Sequence, residues 1–121
     1  MIDASSDPQD AKGCPVAALM KRLSGEWTTH IIWTLGHEGP TRHGQLRKLV
    51  AGISSKVLTD RLRMLEREAL VFRDYEPTVP PSVTYGLTER GLKIHAALRS
   101  LEEATRDWTW TPETRGEEGP Q

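Results

Sequence analysis

The stretch ISSKVLTDRLRMLEREAL, residues Ile53 to Leu70, decides the fold. On a helical wheel at 3.6 residues per turn, Leu58, Leu62 and Leu65 fall on one line, with Val57 and Met64 at its flanks. Ser55, Lys56, Thr59, Asp60 and Arg63 point the other way. The apolar line docks the helix on a core. The opposite face mixes short hydrogen bonders with two cations, and that mixture needs an explanation of its own. Ser54 stands where an N-cap is wanted, so a helix is predicted over Ser54–Glu68.

Upstream, Ala51-Gly52-Ile53 makes a tight connection to a short helix expected over Arg42–Val50, with Leu46, Leu49 and Val50 facing inward. Two glycines and a proline between Gly36 and Pro40 force the chain to turn. Before that turn a helix is expected from about Glu26 to His37, carrying Trp27, Ile31 and either Thr34 or Leu35 at helical spacing. Ser24-Gly25 stops an earlier helix that Cys14-Pro15 opens. Proline suits the first helical position, which makes Cys14 the N-cap, with Ala18, Leu19 and Leu23 as the apolar side.

Downstream of Leu70 the apolar period changes from that of a helix to that of a strand. Val71, Arg73 and Tyr75 alternate with Phe72 and Asp74, and Val83, Tyr85 and Leu87 repeat the pattern. Between them PTVPPS, Pro77 to Ser82, holds three prolines and reads as a stiff loop of polyproline type. The two strands and their loop make a β-hairpin, a wing. Thr88-Glu89-Arg90 then caps a last helix in which Ile94, Leu98, Leu101, Thr105 and Trp108 recur at spacings of four and three. Residues 1–12, rich in Asp, Ser and Pro, and residues 111–121 read as disordered arm and tail around one domain, 13–110. The fold class expected is mostly α with a small β-hairpin wing.

With 36% hydrophobic and 27% charged residues in 121, the composition is that of a soluble domain with a modest core. The aliphatic runs are too short to cross a membrane, and MIDASSDPQDAKG lacks the apolar segment of a signal peptide. A cytoplasmic location is expected, and the single cysteine, Cys14, excludes a disulfide within one chain. The net charge of −1 hides an asymmetry. Between Pro40 and Tyr75 eight cations face four anions, a net of +4, so the remainder carries −5. Positive charge therefore gathers around the Ser54–Glu68 helix, as phosphate binding requires.

Helix, short turn, helix and wing is the winged helix-turn-helix arrangement. An α-helix fits the major groove of B-DNA, where hydroxyls, amides and cations read base edges. Ser54 and Ser55 lie at a helix N-terminus that favours a phosphate, Lys56 and Arg63 reach guanine or phosphate, and Thr59 and Asp60 complete the face. Asp60 has two readings: acceptor for cytosine N4, or partner that fixes Arg63 or Lys56. Arg42, His43, Arg47 and Lys48 are assigned to the DNA backbone. Arg73, beside the wing, is either a DNA contact or the partner of a nearby acid.

Four segments, CPVAALMKRLSGEW, GPTRHGQLRKLVAGISSKVLTDRLRMLEREALV, YEPTVPPSVTYGLTERG and the terminal helix, resemble the HxlR-type transcriptional regulators, bacterial winged-helix proteins related to the MarR class. The resemblance runs from about Cys14 to Trp110. It implies a homodimer that binds a palindromic operator in double-stranded DNA; the function expected is that of a repressor, with the Pro77–Ser82 wing approaching the adjacent backbone or minor groove. Ser82 replaces the cation usual before the valine of the second strand, and Glu26 replaces a cation common before Trp27; both make those sites less basic.

A chain this small cannot easily cover its long last helix. Ile94, Leu98, Leu101 and Trp108, with Val16 and Leu19 of the first helix, are therefore assigned to a dimer seam. Cys14 keeps two readings: a small packed thiol, or a sensor of oxidants or electrophiles, with Lys12 and the helix N-terminus raising its thiolate fraction. The resemblance favours the sensor, since several members of the family respond through a cysteine at this position. A non-covalent aromatic effector remains an alternative signal. The rival function is a winged-helix module for protein partners. No enzyme, cofactor or metal site is expected, because His30, His37, His43 and His95 are scattered and no HExxH or CxxC occurs.

Overall fold

The computed structural model describes residues 13–108; the arm over 1–12, Trp110 and the tail over 111–121 lie outside the described residues. The element order is α1 (Pro15–Leu23), α2 (Thr28–Glu38), β1 (Thr41–Arg42), α3 (His43–Leu49), α4 (Ser55–Arg67), β2 (Val71–Glu76), β3 (Ser82–Leu87) and α5 (Glu89–Ala104). This is the winged helix-turn-helix: five helices and a three-stranded antiparallel sheet in the order β1-β3-β2.

Most boundaries follow the capping logic. Cys14 caps α1, with the Ala17 amide donating to its Sγ at 3.4 Å, and Ser54 caps α4, accepting from the Val57 amide at 3.1 Å. α4 closes with a Schellman turn: the Leu70 amide reaches the Leu65 carbonyl at 2.9 Å and the Ala69 amide reaches that of Glu66 at 3.0 Å. Ala69 takes the left-handed position at φ 64° that glycine usually fills. Thr88 caps α5 for the Gly91 amide and also donates to the Ala69 carbonyl at 2.7 Å, which ties the two corners together.

Four expectations need correction. α2 begins at Thr28 and not near Glu26, because Trp27 sits at φ 82° and cannot be helical. Thr41–Arg42 is a short strand on the free edge of β3, paired Thr41 to Tyr85 and Arg42 to Thr84. Two residues carry no readable period, and Arg42 thereby moves from α3 to the sheet. Leu49 is 36% exposed, since in a helix of seven residues Leu46 and Val50 occupy the inward line. α5 ends at Ala104, so Trp108 follows a turn and does not continue the helical line.

The core is the side predicted for α4 joined to the other elements. Leu58, Leu62 and Leu65 are buried with Leu23, Ile31, Ile32, Leu35, Leu46, Val50, Ile53, Leu70, Val71, Tyr85 and Leu87. Burial of a single leucine contributes roughly 1.5–3 kcal/mol, so this cluster dominates the orientation of α4.

Candidate nucleic-acid interface

The leucine line leaves Ser55, Lys56, Asp60 and Arg63 exposed on one side of α4, with Thr59 half-buried at the edge. Lys56 Nζ lies 3.2 Å from Asp60 Oδ2, so of its two candidate partners Asp60 holds Lys56. An exposed pair one helical turn apart adds only about 0.3–0.5 kcal/mol to stability; what it does is aim the ammonium. Arg61 points elsewhere. Its Nε donates to the Glu26 carbonyl at 2.9 Å, fastening α4 to the turn between α1 and α2.

Thr59 is not free. His43 Nε2 lies 3.0 Å from its Oγ1, linking the first residue of α3 to the outward side of α4. Burial, and secondarily Arg47, hold the His43 pKa below its ordinary value, which keeps the ring neutral. His43 is therefore half-buried and turned onto α4, unlike its expected neighbours Arg47 and Lys48, which are exposed.

Between α3 and the start of α4 lies an open hollow of about 760 Å³, lined by His43, Gly44, Arg47, Lys48, Ser54 and Ser55 among others. It joins the α4 N-terminus, two cations and two hydroxyls around one space, the geometry that receives a phosphate. Arg42 and Ser82 meet at a second, smaller hollow beside Pro81 and Val83. Ser82 Oγ is turned toward Glu76 Oε1 at 3.5 Å. Arg73 Nε sits 3.6 Å from Glu66 Oε1, which makes its acidic neighbour a residue of α4 and not of its own strand.

Cys14 is exposed and stands apart from the α3–α4 hollow's lining. Of the six residues assigned to a dimer seam, Leu19, Ile94 and Leu98 pack on the edge of the core, while Val16, Leu101 and Trp108 are 62%, 61% and 63% exposed. The histidines are less scattered than the sequence suggested. His37 Nδ1 is 3.0 Å from the Trp33 carbonyl and 3.1 Å from His95 Nε2. A carbonyl only accepts, so a hydrogen bond to Trp33 requires the hydrogen on His37 Nδ1, whereas a hydrogen on His95 Nε2 requires His37 Nδ1 bare. No group of three metal-ligating side chains occurs among the described residues.

The model of the HxlR-like helix-turn-helix family matches residues 22–113. The chain belongs to that family. An uncharacterized HTH-type transcriptional regulator of Synechocystis, sll1512, is 36% identical over 110 residues, covering 89% of this chain and 81% of its own. A protein of Porphyromonas gingivalis W83 assigned to the MarR family superposes with a TM-score of 0.74 at 32% identity, over 80% of this chain and 94% of the other. The redox regulator HypR, in its oxidized form, superposes at 0.71 with 28% identity, over 81% and 100%. The protein is thus a transcriptional regulator of the helix-turn-helix type, and its family implies DNA as the partner. Among the described residues no helix is long and apolar enough to cross a membrane.

Proposed function

We propose that this HxlR-like chain is a homodimeric repressor that inserts α4 into successive major grooves of a palindromic operator. The observation that carries the reading is the exposed face of α4, with Lys56 and Arg63 outward and a cation-lined hollow at its N-terminus. Two such helices on one DNA face must lie about 34 Å apart. The exposed Val16, Leu101 and Trp108 on the terminal elements support the dimer. The wing loop, Pro77 to Pro81, lies against the neighbouring backbone or minor groove.

Cys14 is proposed as the signal input, supported by its exposure and by the redox regulator HypR among the structural relatives. A two-electron oxidant such as diamide joins the thiol either to Cys14 of the second copy or to a small thiol; one S–S bond forms and both thiol hydrogens pass to the oxidant.

The test is binding to the DNA upstream of its own gene, titrated against salt. Several phosphate contacts give a slope of about −0.9 per contact in log affinity against log salt. Lys56→Ala with Arg63→Ala removes operator binding while the oligomer persists. Retained binding in that double variant overturns the assignment of the face. Salt-insensitive or absent DNA binding moves the protein-partner reading forward. Loss of binding with diamide, kept in Cys14→Ser, establishes the thiol switch; indifference to diamide leaves a non-covalent effector or protein abundance as the signal.

A further inference from the structure

The side of α4 toward the wing holds a hollow of about 480 Å³ that shares Arg63 with the DNA-reading face of α4. Its wall on the helix is Arg63, Glu66 and Arg67, residues three and four apart that share one face. Its wall on the sheet is Arg73, Val83 and Tyr85; Arg73 and Tyr85 are directly paired across β2 and β3, so their side chains leave the sheet on the same side. Three guanidiniums face one carboxylate. That carboxylate, Glu66, holds Arg73 only at 3.6 Å in a half-exposed pair, and Arg63 and Arg67 appear in no ion pair among the described residues.

Tyr85 forms the floor. The residue is 6% exposed, and no hydrogen bond to its hydroxyl occurs among the described residues. Burial raises the phenol pKa above its ordinary value, so the hydroxyl stays a donor at neutral pH. A buried phenolic donor without a partner, ringed by guanidiniums, is a site that wants an acceptor.

We infer that this hollow between α4 and the wing binds an anionic group, a carboxylate or phosphate, with the Tyr85 hydroxyl and the Arg67 and Arg73 guanidiniums as its donors. The group comes either on a small organic molecule, whose apolar body lies on Val83 and the Tyr85 ring, or on the DNA backbone. The inference stands without DNA recognition; only its second source rests on that reading.

The experiment titrates the full-length protein, without DNA, with benzoate and separately with inorganic phosphate, read by heteronuclear NMR. The expected result is saturable binding by at least one probe. The affinity falls at least tenfold in Arg67→Ala with Arg73→Ala, falls several-fold in Tyr85→Phe and is unchanged in Lys93→Ala, an exposed cation of α5 that lines neither this hollow nor the one between α3 and α4. Thermal melts of each variant separate lost binding from lost folding. If neither probe binds but the double variant lowers the salt slope of operator binding by about 2, the source is the DNA backbone and the site stands. Probe binding that the double variant leaves intact, or that Lys93→Ala weakens as much as the double variant does, overturns it, as does an unchanged slope with no probe bound.

Discussion

Gly36 offers a test in which two ordinary effects have opposite signs. It sits inside α2, where replacing glycine by alanine ordinarily stabilises a helix by about 0.8–1.0 kcal/mol. Here a Cβ on Gly36 falls inside the His95 imidazole, overlapping Cδ2, Cγ and Nε2. His95 cannot easily step aside: it is 7% exposed, bonded to His37, with the Trp33 ring centroid 5.7 Å away. Forcing extra volume into such a site costs typically 1–3 kcal/mol, and more when a packed ring must leave. Sterics therefore win, and Gly36→Ala is expected to destabilise by about 1–2 kcal/mol, a drop in melting temperature of roughly 5–15 °C for a domain of this size. In a His95→Ala background the obstruction is gone, and the same substitution should stabilise by up to about 1 kcal/mol. The assay is thermal and urea unfolding of the four proteins by circular dichroism, at one protomer concentration because association shifts apparent stability. A stabilising Gly36→Ala in the wild-type background, or effects that add within about 0.5 kcal/mol, refutes the packing of the His95 ring against Gly36.

Three further outcomes follow from the geometry. Ala69→Gly relieves a left-handed residue at the end of α4 and should raise stability by roughly 0.5–1 kcal/mol, seen as a higher urea midpoint with unchanged slope; a lower midpoint would show that the Ala69 methyl group makes contacts that outweigh its backbone cost. His95 is held below its ordinary pKa by burial, then by His37 and Arg99, and His43 by burial and Arg47. The unfolded chain thus binds more protons than the folded one, so stability is fully present above about pH 6.5 and declines as pH falls below it toward the depressed folded values. Urea midpoints that rise between pH 7.5 and 5.5 would contradict that sign. His43→Phe keeps a ring near Tyr85 but drops the nitrogen that holds Thr59, so it should cost about 1 kcal/mol of stability and broaden base preference in a selection from random DNA. An unchanged preference would mean that the Thr59 hydroxyl reads nothing.

The parts of the fold written in a long period were legible. The α4 stripe, the Ser54 and Thr88 caps and the two alternating strands came from repeats long enough to count, reinforced by residues whose side chains cap a helix end. What was missed lacked such a repeat. β1 is two residues long and exists because the edge of β3 was open to pair with it. Trp27 looked helical by spacing, yet its backbone is set by the turn that Gly25 makes before it. The site shows the same division. Lys56, Asp60 and Arg63 were placed outward by periodicity, whereas the partners of Thr59, Arg61 and Arg73 lie 16, 35 and 7 positions away in sequence, on other elements or across a turn. The pair His37–His95, 58 positions apart, was read as scattered for that reason.

Those long-range bonds matter for how α4 can act. An apolar stripe fixes which side of a helix faces the core only to within its own width, around 100° of arc. Reading base edges demands far less freedom than that. Thr59 and Arg61 are two residues apart, close to opposite edges of the outward face, and each is bonded to a different neighbour: Thr59 to the start of α3, Arg61 to the turn before α2. Rolling α4 in one direction stretches the first bond, and rolling it in the other stretches the second. The leucines hold the helix down and these two bonds hold its rotation, while Lys56, Asp60 and Arg63 are left exposed between them. A side chain that never touches the ligand can therefore set where the ones that do must point, and in this chain Arg61 is better placed for that than for any phosphate.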